Sequence, residues 1–256
     1  MSDHDEVVRR EFTRQADAMA GAALFNDAAV LERIREAAHF MPSPRILDVA
    51  CGPGIVVEKL APGAAEVVGC DLTPEMLEKM RQRCAKAGLA NVSALPGRAE
   101  ALPFEDGHFD AVVSRSAVHH FSDPPAALRE MARVVRSGGR VITVDVTAAE
   151  DPAEATLHNA LETIRDPSHV RMLPKSELHA ALAAAGLRVE TFLPWTNHRE
   201  FGEWMKITNA PERVGPLRVV MAALARAGQS AGIDLRIEAQ QIRFEHHAAL
   251  TVAVKP

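Results

Sequence analysis

The chain has 256 residues, of which 47% are hydrophobic and 25% charged, and its formal net charge is −5. These values are typical of a globular enzyme and exclude a disordered or fibrous chain. The charge is mild, and Lys and Arg are spread along the chain instead of forming a basic arm, which argues against nucleic acid as a substrate.

Short apolar runs alternate with helical patterns from residue 45 to about 146, after one or two helices predicted within residues 1–40. Such alternation is typical of βαβ units and a parallel sheet. The predicted strands lie at residues 45–50, 66–71, 92–95, 109–114, 140–146, 187–193 and 249–254. We therefore predict an α/β fold with a Rossmann-like, seven-stranded, mostly parallel sheet and helices on both faces.

Local signals place several helix ends. Thr73 followed by Pro74 predicts a helix start with threonine as the N-cap. The helix around 128–135 is expected to end at Ser137-Gly138-Gly139, and a helix at 176–185 is closed by Gly186. The two late strands follow each other in the chain, which suggests an antiparallel addition at the sheet edge.

The organisation predicted from these elements is a single domain over residues 1–256. It comprises an N-terminal helical lid (1–40), a core (41–146) and a C-terminal part (147–256). A helical cap at about 195–245 is inserted before the last strand. We expect the lid and the cap to cover the carboxyl edge of the sheet, where open α/β folds bind ligands.

The most informative stretch is ILDVACGPG (46–54), an apolar strand that runs into a glycine-rich turn. Glycines there allow the backbone to approach a ligand closely. A dinucleotide fingerprint would need a third glycine where Val57 stands, and no Gly-Lys-Ser/Thr follows for a phosphate loop. Asp48 would repel a pyrophosphate but suits a cationic ligand such as a sulfonium. Asp71 ends the next strand, where an acidic side chain accepts hydrogen bonds from ribose hydroxyls.

Four stretches in order resemble the class I S-adenosylmethionine (SAM) dependent methyltransferases. The chain is most similar to their ubiquinone/menaquinone C-methyltransferase-like branch, of the methyltransferase domain 11 type. The stretches are ILDVACGPG (46–54), VVGCDLTPEML (67–77), GRAEALPFEDGHFDAVVSRSAVHHF (97–121) and ALREMARVVRSGGRVITVD (127–145).

The resemblance implies SAM as the cofactor and assigns residues to it. Asp48, Ala50, Cys51, Gly52 and Gly54 belong to the methionine end, and Asp71 to the ribose. The positions expected around the adenine and at the end of the fourth strand are Leu72, Met76, Ala99, Glu100, Ser114 and Arg115.

Two positions depart from the family pattern. The family often has glycine where Ala50 stands, and alanine there is a familiar variant. The position before Ala99 is often an aspartate that accepts from the adenine amino group, whereas here it is Arg98, which has no acceptor. The adenine contact is therefore expected from backbone or from Glu100.

Methyl transfer needs alignment and desolvation, so we expect no metal, and a general base only for an acceptor that loses a proton. His119 and His120 are candidates for that base, although they alternatively shape the loop. His169 is a third candidate within the cluster 166–171, in which Arg171 would bind an acidic group. The alternative for this cluster is a solvated turn.

Other polar and aromatic residues have two interpretations. Phe12 and Gln15 either close over the cofactor or belong to the packing of the first helix. Trp195 and Trp204 either line an acceptor pocket or form the core of the cap. His246 and His247, at the start of the last strand, are expected to be exposed.

The sequence thus predicts a SAM-dependent methyltransferase that acts on a small-molecule acceptor with an aromatic, quinone-like or natural-product scaffold. Two alternatives stay open: a SAM-binding protein without methyl transfer, and a nicotinamide-dependent oxidoreductase, against which Val57 and Asp48 argue.

The cellular setting is predicted from absences in the sequence. Three cysteines without metal-ligand spacing, no apolar run of ~18 residues and a charged start predict a cytoplasmic protein without membrane contact. No interface stripe is visible, so a homodimer is expected only because it is the commonest assembly.

Overall fold

The computed structural model describes residues 2–21 and 23–256. The α-helices within them are α1 (Asp3–Gly21), α2 (Ala28–Ala38), α3 (Ile55–Leu60), α4 (Pro74–Lys86), α5 (Pro124–Val134), α6 (Pro152–Arg165), α7 (Lys175–Ala184), α8 (Phe201–Lys206) and α9 (Pro211–Arg226). The strands are β1 (Arg45–Val49), β2 (Glu66–Asp71), β3 (Val92–Pro96), β4 (Phe109–Arg115), β5 (Val135–Val146), β6 (Arg188–Glu200), β7 (Arg236–Glu238) and β8 (Gln241–Val254). Short 3-10 helices lie at Ala23–Asn26 and Val118–His120.

The strands form one mixed sheet in the order β3-β2-β1-β4-β5-β8-β6, and β7 pairs with β8. The pairs among β1 to β5 are parallel, whereas β8 is antiparallel to β5, β6 and β7. The chain order reverses between β1 and β4, which is the switch point where open α/β sheets bind ligands. The α/β, mostly parallel architecture predicted from the sequence is confirmed.

The predicted strand number was wrong: the sheet formed by the described residues has eight strands instead of seven. The addition is β7, which pairs with the first half of β8. β6 and β8 also run well past the predicted 187–193 and 249–254, because they pair with each other from Arg188↔Val254 to Glu200↔Arg243. The helices of the predicted 195–245 cap therefore occupy only 201–226.

The helix before β5 ends earlier than the Ser137-Gly138-Gly139 signal predicted. Val135 has extended dihedral angles and already belongs to β5. Gly139 is needed for packing within this strand, because a Cβ there would lie 2.6 Å from the backbone oxygen of Asp110. Gly138 adopts a positive φ of 73°, within a register irregularity that lies between Val135 and Arg140.

Apolar side chains pack on both faces of the sheet. Leu47, Val112, Leu128 and Met131 belong to the core on one face, and residues of α2, α3 and α4 pack on the other. A third apolar cluster holds the cap together, and its fully buried members are Leu161, Phe201, Leu217, Met221 and Phe244. In the part of the chain that the structure describes, no helix is long and apolar enough to cross a membrane.

Candidate cofactor and acceptor site

An open cleft lies where β1, β2 and β4 end. Its floor comes from the turns after these strands, including Asp48–Pro53 and Asp71–Thr73. Helix α1 closes it with His4, Asp5, Val8 and Phe12.

The glycine-rich turn after β1 adopts the left-handed region three times, at Ala50 (φ +56°), Gly52 (φ +54°) and Gly54 (φ +79°). Gly54 must be glycine, because a Cβ there would lie 2.6 Å from the Cγ atom of Met80. Ala50 adopts this conformation with a side chain, at a cost of about 1 kcal/mol. The turn places the backbone of residues 49–53 in the cleft wall.

Asp48 is the last but one residue of β1 and is 1% exposed. Its Oδ2 atom has no hydrogen-bond partner among the described residues, although the residue lines the cleft. Burial and the neighbouring Asp71 raise the pKa of this carboxyl well above its usual value, while Arg115 acts in the opposite direction. The Oδ2 atom of this buried acid lacks a cationic or hydrogen-bond-donating partner. The cleft has room for a ligand that supplies one.

Asp71 ends β2 and is oriented by two backbone amides. Its Oδ2 accepts from Gly52 N and its Oδ1 from Thr73 N, both at 2.8 Å. Burial raises the pKa of Asp71, and these hydrogen bonds limit the rise. Each carboxylate oxygen keeps a further lone pair for a ligand.

Arg98 pairs with an acid that the sequence did not single out. Its Nη1 atom donates to Asp5 Oδ2 at 2.6 Å, and Ser2 N donates to the same oxygen at 2.8 Å. Asp5 belongs to α1, is 3% exposed and lines the cleft beside Arg98. The first helix thus carries a carboxylate to the place where the sequence has an arginine instead of an acid.

Glu100 also lines the cleft, but one of its oxygens is engaged. Glu100 Oε1 accepts from the backbone N and Oγ of Ser122, at 2.9 and 2.8 Å. This carboxylate therefore fixes the loop after the second 3-10 helix, and its Oε2 lies 3.7 Å from Arg98 Nε.

The structure brings most of the predicted cofactor residues together. Those that line the cleft are Asp48, Ala50, Cys51, Gly52, Asp71, Leu72, Ala99, Glu100 and Arg115. Gly54, Met76 and Ser114 lie outside this lining. Gly54 starts α3 close to Met80, and Met76 and Ser114 are buried in the interior at 1% and 0% exposure. Ser114 shares β4 with the lining residue Arg115, and Met76 lies in the first turn of α4, which begins directly after the lining residue Thr73.

The three candidate histidines cluster but have different surroundings. The ring centroids of His119 and His120 are 4.2 Å apart, and that of His169 lies 5.6 Å from His119. Among the three, only His120 lines the cleft. The other two face Asp145 and Asn159, respectively.

His119 is paired with an acid at the end of β5. His119 Nδ1 lies 2.5 Å from Asp145 Oδ1. Burial acts to lower the pKa of His119, but the charge of Asp145 outweighs it and the pKa is raised. His119 is therefore the member of the cluster that carries a proton most readily.

His120 is neutral at physiological pH. Burial and the charge of His119 lower its pKa to about 4. The backbone oxygen of Ser168, which can only accept, lies 3.0 Å from His120 Nδ1, so the neutral ring carries its hydrogen there. Nε2 then has the free lone pair, which is the arrangement that a general base requires.

His169 donates from Nε2 to Asn159 Oδ1 at 2.8 Å and is 6% exposed. Burial and His119 lower its pKa to about 3. Of the neighbouring residues, Asp166 accepts from Gln15 Nε2 at 2.7 Å and Arg171 pairs with Glu177 near the surface. The 166–171 cluster is therefore a buried junction with α1, and its Arg171 faces away from the cleft.

A side chamber adjoins the cleft and shares Phe25, Arg115 and Ser116 with it. Trp195 of β6 and His246 of β8 line this chamber, together with Asn197 and Arg199. Trp204 instead belongs to the apolar core of the cap. The expectation that His246 is exposed was wrong: it is 7% exposed, because the extended β8 turns it inward, while His247 faces solvent.

Sequence reasoning missed Asp5, Asp145 and the chamber residues Asn197 and Arg199. Asp145 carried a recognisable signal, since it is an acid at the carboxyl end of an otherwise apolar strand. Asp5 and Arg199 carried none, because their neighbours lie far away in the chain.

Comparison with known proteins agrees with this geometry. Residues 47–143 match the model of a methyltransferase domain. The chain is 34% identical over 200 residues to the uncharacterized methyltransferase YcgJ of Bacillus subtilis, covering 78% of this chain and 79% of that protein.

The crystal structure of YcgJ superposes with a TM-score of 0.82 at 32% identity, over 89% of this chain and 98% of that one. The structure of the BH2331 protein of Bacillus halodurans gives 0.84 at 29% identity, over 90% and 100%. A demethylmenaquinone methyltransferase of Corynebacterium kroppenstedtii is 35% identical over 117 residues, 46% of this chain and 48% of that protein. The chain belongs to the methyltransferase-domain family, as its motifs indicated.

Proposed function

We propose that this protein transfers a methyl group from SAM to a small-molecule acceptor. One observation carries the assignment of the cofactor: the buried Asp48 carboxylate has an unpartnered oxygen in the cleft wall. A cationic ligand that also carries a ribose satisfies both Asp48 and Asp71. When bound, SAM supplies an electrophilic methyl group and needs no covalent intermediate with the protein.

The residues of this chain would hold the cofactor along its length. Asp48 and the backbone around Cys51 and Gly52 would take the methionine end, and Asp71 the ribose hydroxyls. Leu72 and Ala99 would pack on the adenine. Asp5 is placed beside Arg98 to accept from the adenine amino group, in addition to Glu100.

The chain's contribution to rate is alignment and exclusion of water. Helix α1 lies over the cleft with Phe12, whose ring contacts His120 edge to face at a centroid distance of 4.9 Å. Holding two reactants in line supplies roughly 7–11 kcal/mol of a barrier. A lid held by buried polar contacts is suited to this task.

His120 is the group we assign to proton removal. It lines the cleft, its Nε2 lone pair is free, and Ser168 Oγ links its ring to Asp166 through contacts of 3.1 and 2.6 Å. A base with a pKa of about 4 is available at neutral pH but weak. Its contribution is therefore placed at about 10²-fold, the lower end for general bases.

The side chamber is where we place the acceptor. It opens from the cleft past Phe25 and Ser116, and Trp195 provides a flat apolar wall. An aromatic or quinone-like scaffold suits such a wall. The demethylmenaquinone methyltransferase among the relatives supports the same class of acceptor.

The first test is calorimetric titration of the purified protein with SAM, S-adenosylhomocysteine and NADH, together with an Asp48→Asn variant. We expect binding of both sulfur compounds and none of NADH. Asp48→Asn should weaken the binding of SAM more than that of S-adenosylhomocysteine, because only SAM carries the sulfonium charge. Asp106→Asn, at an exposed carboxylate, is the matched control.

A binding result alone does not establish turnover. Release of S-adenosylhomocysteine should therefore be followed with a panel of phenols and hydroquinones. Binding without release for any acceptor would favour a SAM-binding protein without methyl transfer. Binding of NADH alone would overturn the cofactor assignment.

A further inference from the structure

A second polar cluster lies away from the cleft, between α6 and β8. His158 and Glu162 are one helical turn apart on α6, and His246 faces them from β8. One nitrogen of each imidazole and one oxygen of Glu162 all lie within 4.8 Å of one another. The three residues are 2%, 6% and 7% exposed.

The hydrogen bonding of this cluster is incomplete. Both ring nitrogens of His158 are buried without a partner among the described residues. His246 Nε2 lies 3.1 Å from Glu162 Oε1, but the two are not aligned as a hydrogen bond, and His158 Nε2 lies 3.8 Å from the same oxygen. A neutral imidazole bears one N–H donor and one lone pair, and each needs a partner when it is buried. Burial of His158 without hydrogen-bond partners is therefore costly.

The distances suit a shared central atom. Ligand atoms held at about 2.0–2.2 Å around a tetrahedral metal ion are separated by roughly 3.3 Å. The two contacts to Glu162 Oε1, at 3.1 and 3.8 Å, lie on either side of that value.

The protonation states are those that metal ligands require. Burial and the neighbouring His246 lower the pKa of His158 to about 3, so this imidazole is neutral. Burial also lowers the pKa of His246 despite Glu162. Burial acts to raise the pKa of Glu162, but Arg165 and His246 outweigh it, which keeps the carboxylate ionised.

The surroundings orient the carboxylate. Arg165 Nη1 lies 3.1 Å from Glu162 Oε2 and leaves Oε1 for the histidines. Such outer partners are typical of ligating carboxylates. Arg165 and Arg199 add positive charge nearby, which disfavours cations held by charge alone, such as Mg²⁺ or Ca²⁺, and leaves metals that bind imidazole strongly.

We propose that His158, Glu162 and His246 bind one Zn²⁺ ion that fastens α6 and the cap to β8. The site goes beyond methyl transfer, which requires no metal, and it differs from the expectation that the protein holds none. Three protein ligands leave a fourth position for water. His246 also lines the side chamber, so the ion lies behind its wall.

The test uses full-length protein without a histidine tag, stripped with a chelator and titrated with Zn²⁺ against a fluorescent zinc indicator. We expect one equivalent to bind and the melting temperature to rise by several degrees. Co²⁺ in place of Zn²⁺ should give the visible absorption of a tetrahedral site. Binding of less than half an equivalent of Zn²⁺, with no change in the melting temperature, would overturn the proposal.

Variants assign the site. Glu162→Gln and His158→Phe should each lower the affinity for Zn²⁺ by at least about 100-fold and abolish the Co²⁺ absorption bands. His247→Gln, on the exposed face of the same strand, is the matched control and should bind like the parent protein. If a ligand variant fails to fold, the parent's stoichiometry and Co²⁺ spectrum still decide. Equal affinity in the parent and both folded ligand variants would place the ion elsewhere and contradict the assignment.

Discussion

Arg98 Nη1 donates to Asp5 Oδ2 at 2.6 Å, which joins the loop after β3 to the first turn of α1. The two residues are 93 positions apart in the chain. The lid helix and the proposed adenine site are therefore parts of one structure. Helix α1 therefore supplies a side chain to the proposed adenine end of the cleft.

Replacing Asp5 should test this arrangement through base preference. Asp5→Asn removes an acceptor for the adenine amino group and adds a donor, which suits the 6-oxo group of hypoxanthine. We expect the affinity for S-adenosylhomocysteine to fall by about 10-fold or more and the preference over S-inosylhomocysteine to shrink. Calorimetry with both ligands measures this, with the exposed Asp3→Asn as control. An unchanged ratio would show that Asp5 does not contact the base.

Replacement of Asp71 should weaken the binding of SAM and lower the stability of the fold. Asp71→Asn keeps the shape but loses the charge that holds Gly52 N and Thr73 N. Charge-assisted hydrogen bonds are worth about 1.5–3 kcal/mol each. We expect at least 10-fold weaker binding of SAM and a lower denaturation midpoint, measured by calorimetry and urea unfolding. Unaltered SAM affinity would remove Asp71 from the ribose site.

The strands of the sheet were predictable because their apolar runs are short and alternate with helices. The extensions of β6 and β8 were not, because residues 194–200 are mostly polar and residues 241–248 alternate polar and apolar side chains only as far as Glu245. Both segments belong to a hairpin that leaves the main sheet. Their pairing with each other and with β7 stabilises them. The helical cap was overpredicted for the same reason.

Glu11 should hold the lid to the cap. It is 1% exposed and accepts from Arg213 Nη1 and Nη2 of α9 at 2.9 and 3.1 Å, and Arg14 is a further partner. Removing one partner of a buried pair costs several kcal/mol, but both arginines are partly exposed. We therefore expect Glu11→Gln to lower the free energy of unfolding by about 2 kcal/mol in urea titrations. Glu75→Gln, at an exposed site, should change it by much less.

The His119–Asp145 pair should make stability depend on pH in a defined direction. The folded pKa of His119 is raised, so the stabilisation is complete below the unfolded pKa near 6.5 and is lost as pH rises through the folded value. The pKa of Asp145 is lowered, because the charge of His119 outweighs the effect of burial. The stabilisation that Asp145 contributes is lost only as the pH falls below the usual aspartate range.

We expect the difference in unfolding free energy between the parent and His119→Gln to be largest near pH 6 and to shrink toward alkaline pH. Urea unfolding at a series of pH values measures it. Buried histidines outside this cluster cancel in the comparison, whereas the pKa values of His120 and His169 are lowered partly by His119 and should rise in the variant. A difference that stays constant from neutral to alkaline pH would mean that His119 is neutral when folded.

His120 should affect turnover and leave cofactor affinity unchanged. With an acceptor that loses a proton, His120→Gln should reduce kcat by about 10²-fold. Its affinity for S-adenosylhomocysteine should stay within about two-fold. Asp166→Asn should cause a smaller loss of the same kind, because it acts through Ser168. An unaltered kcat in His120→Gln would assign the histidine to shaping the loop.

The residues of the cleft floor were predictable because ILDVACGPG and Asp71 lie in local motifs whose geometry the strand ends dictate. The roles of Asp5, Asp145 and His246 depend on contacts between distant elements, which the chain order does not reveal. Gly54 and Met76 show the opposite error. They share a motif with lining residues, but close packing against Met80 and the core explains them.

The position of β8 between β5 and β6 has a consequence for how the chain reaches its native state. Until residues 241–254 have been synthesised, β5 and β6 each present an unpaired edge, and such edges promote association between chains. A strand that is synthesised after both of its neighbours thus completes the middle of this half of the sheet. Slow synthesis before residue 241 would prolong the aggregation-prone interval, and a chaperone that shields strand edges would be needed most at that stage.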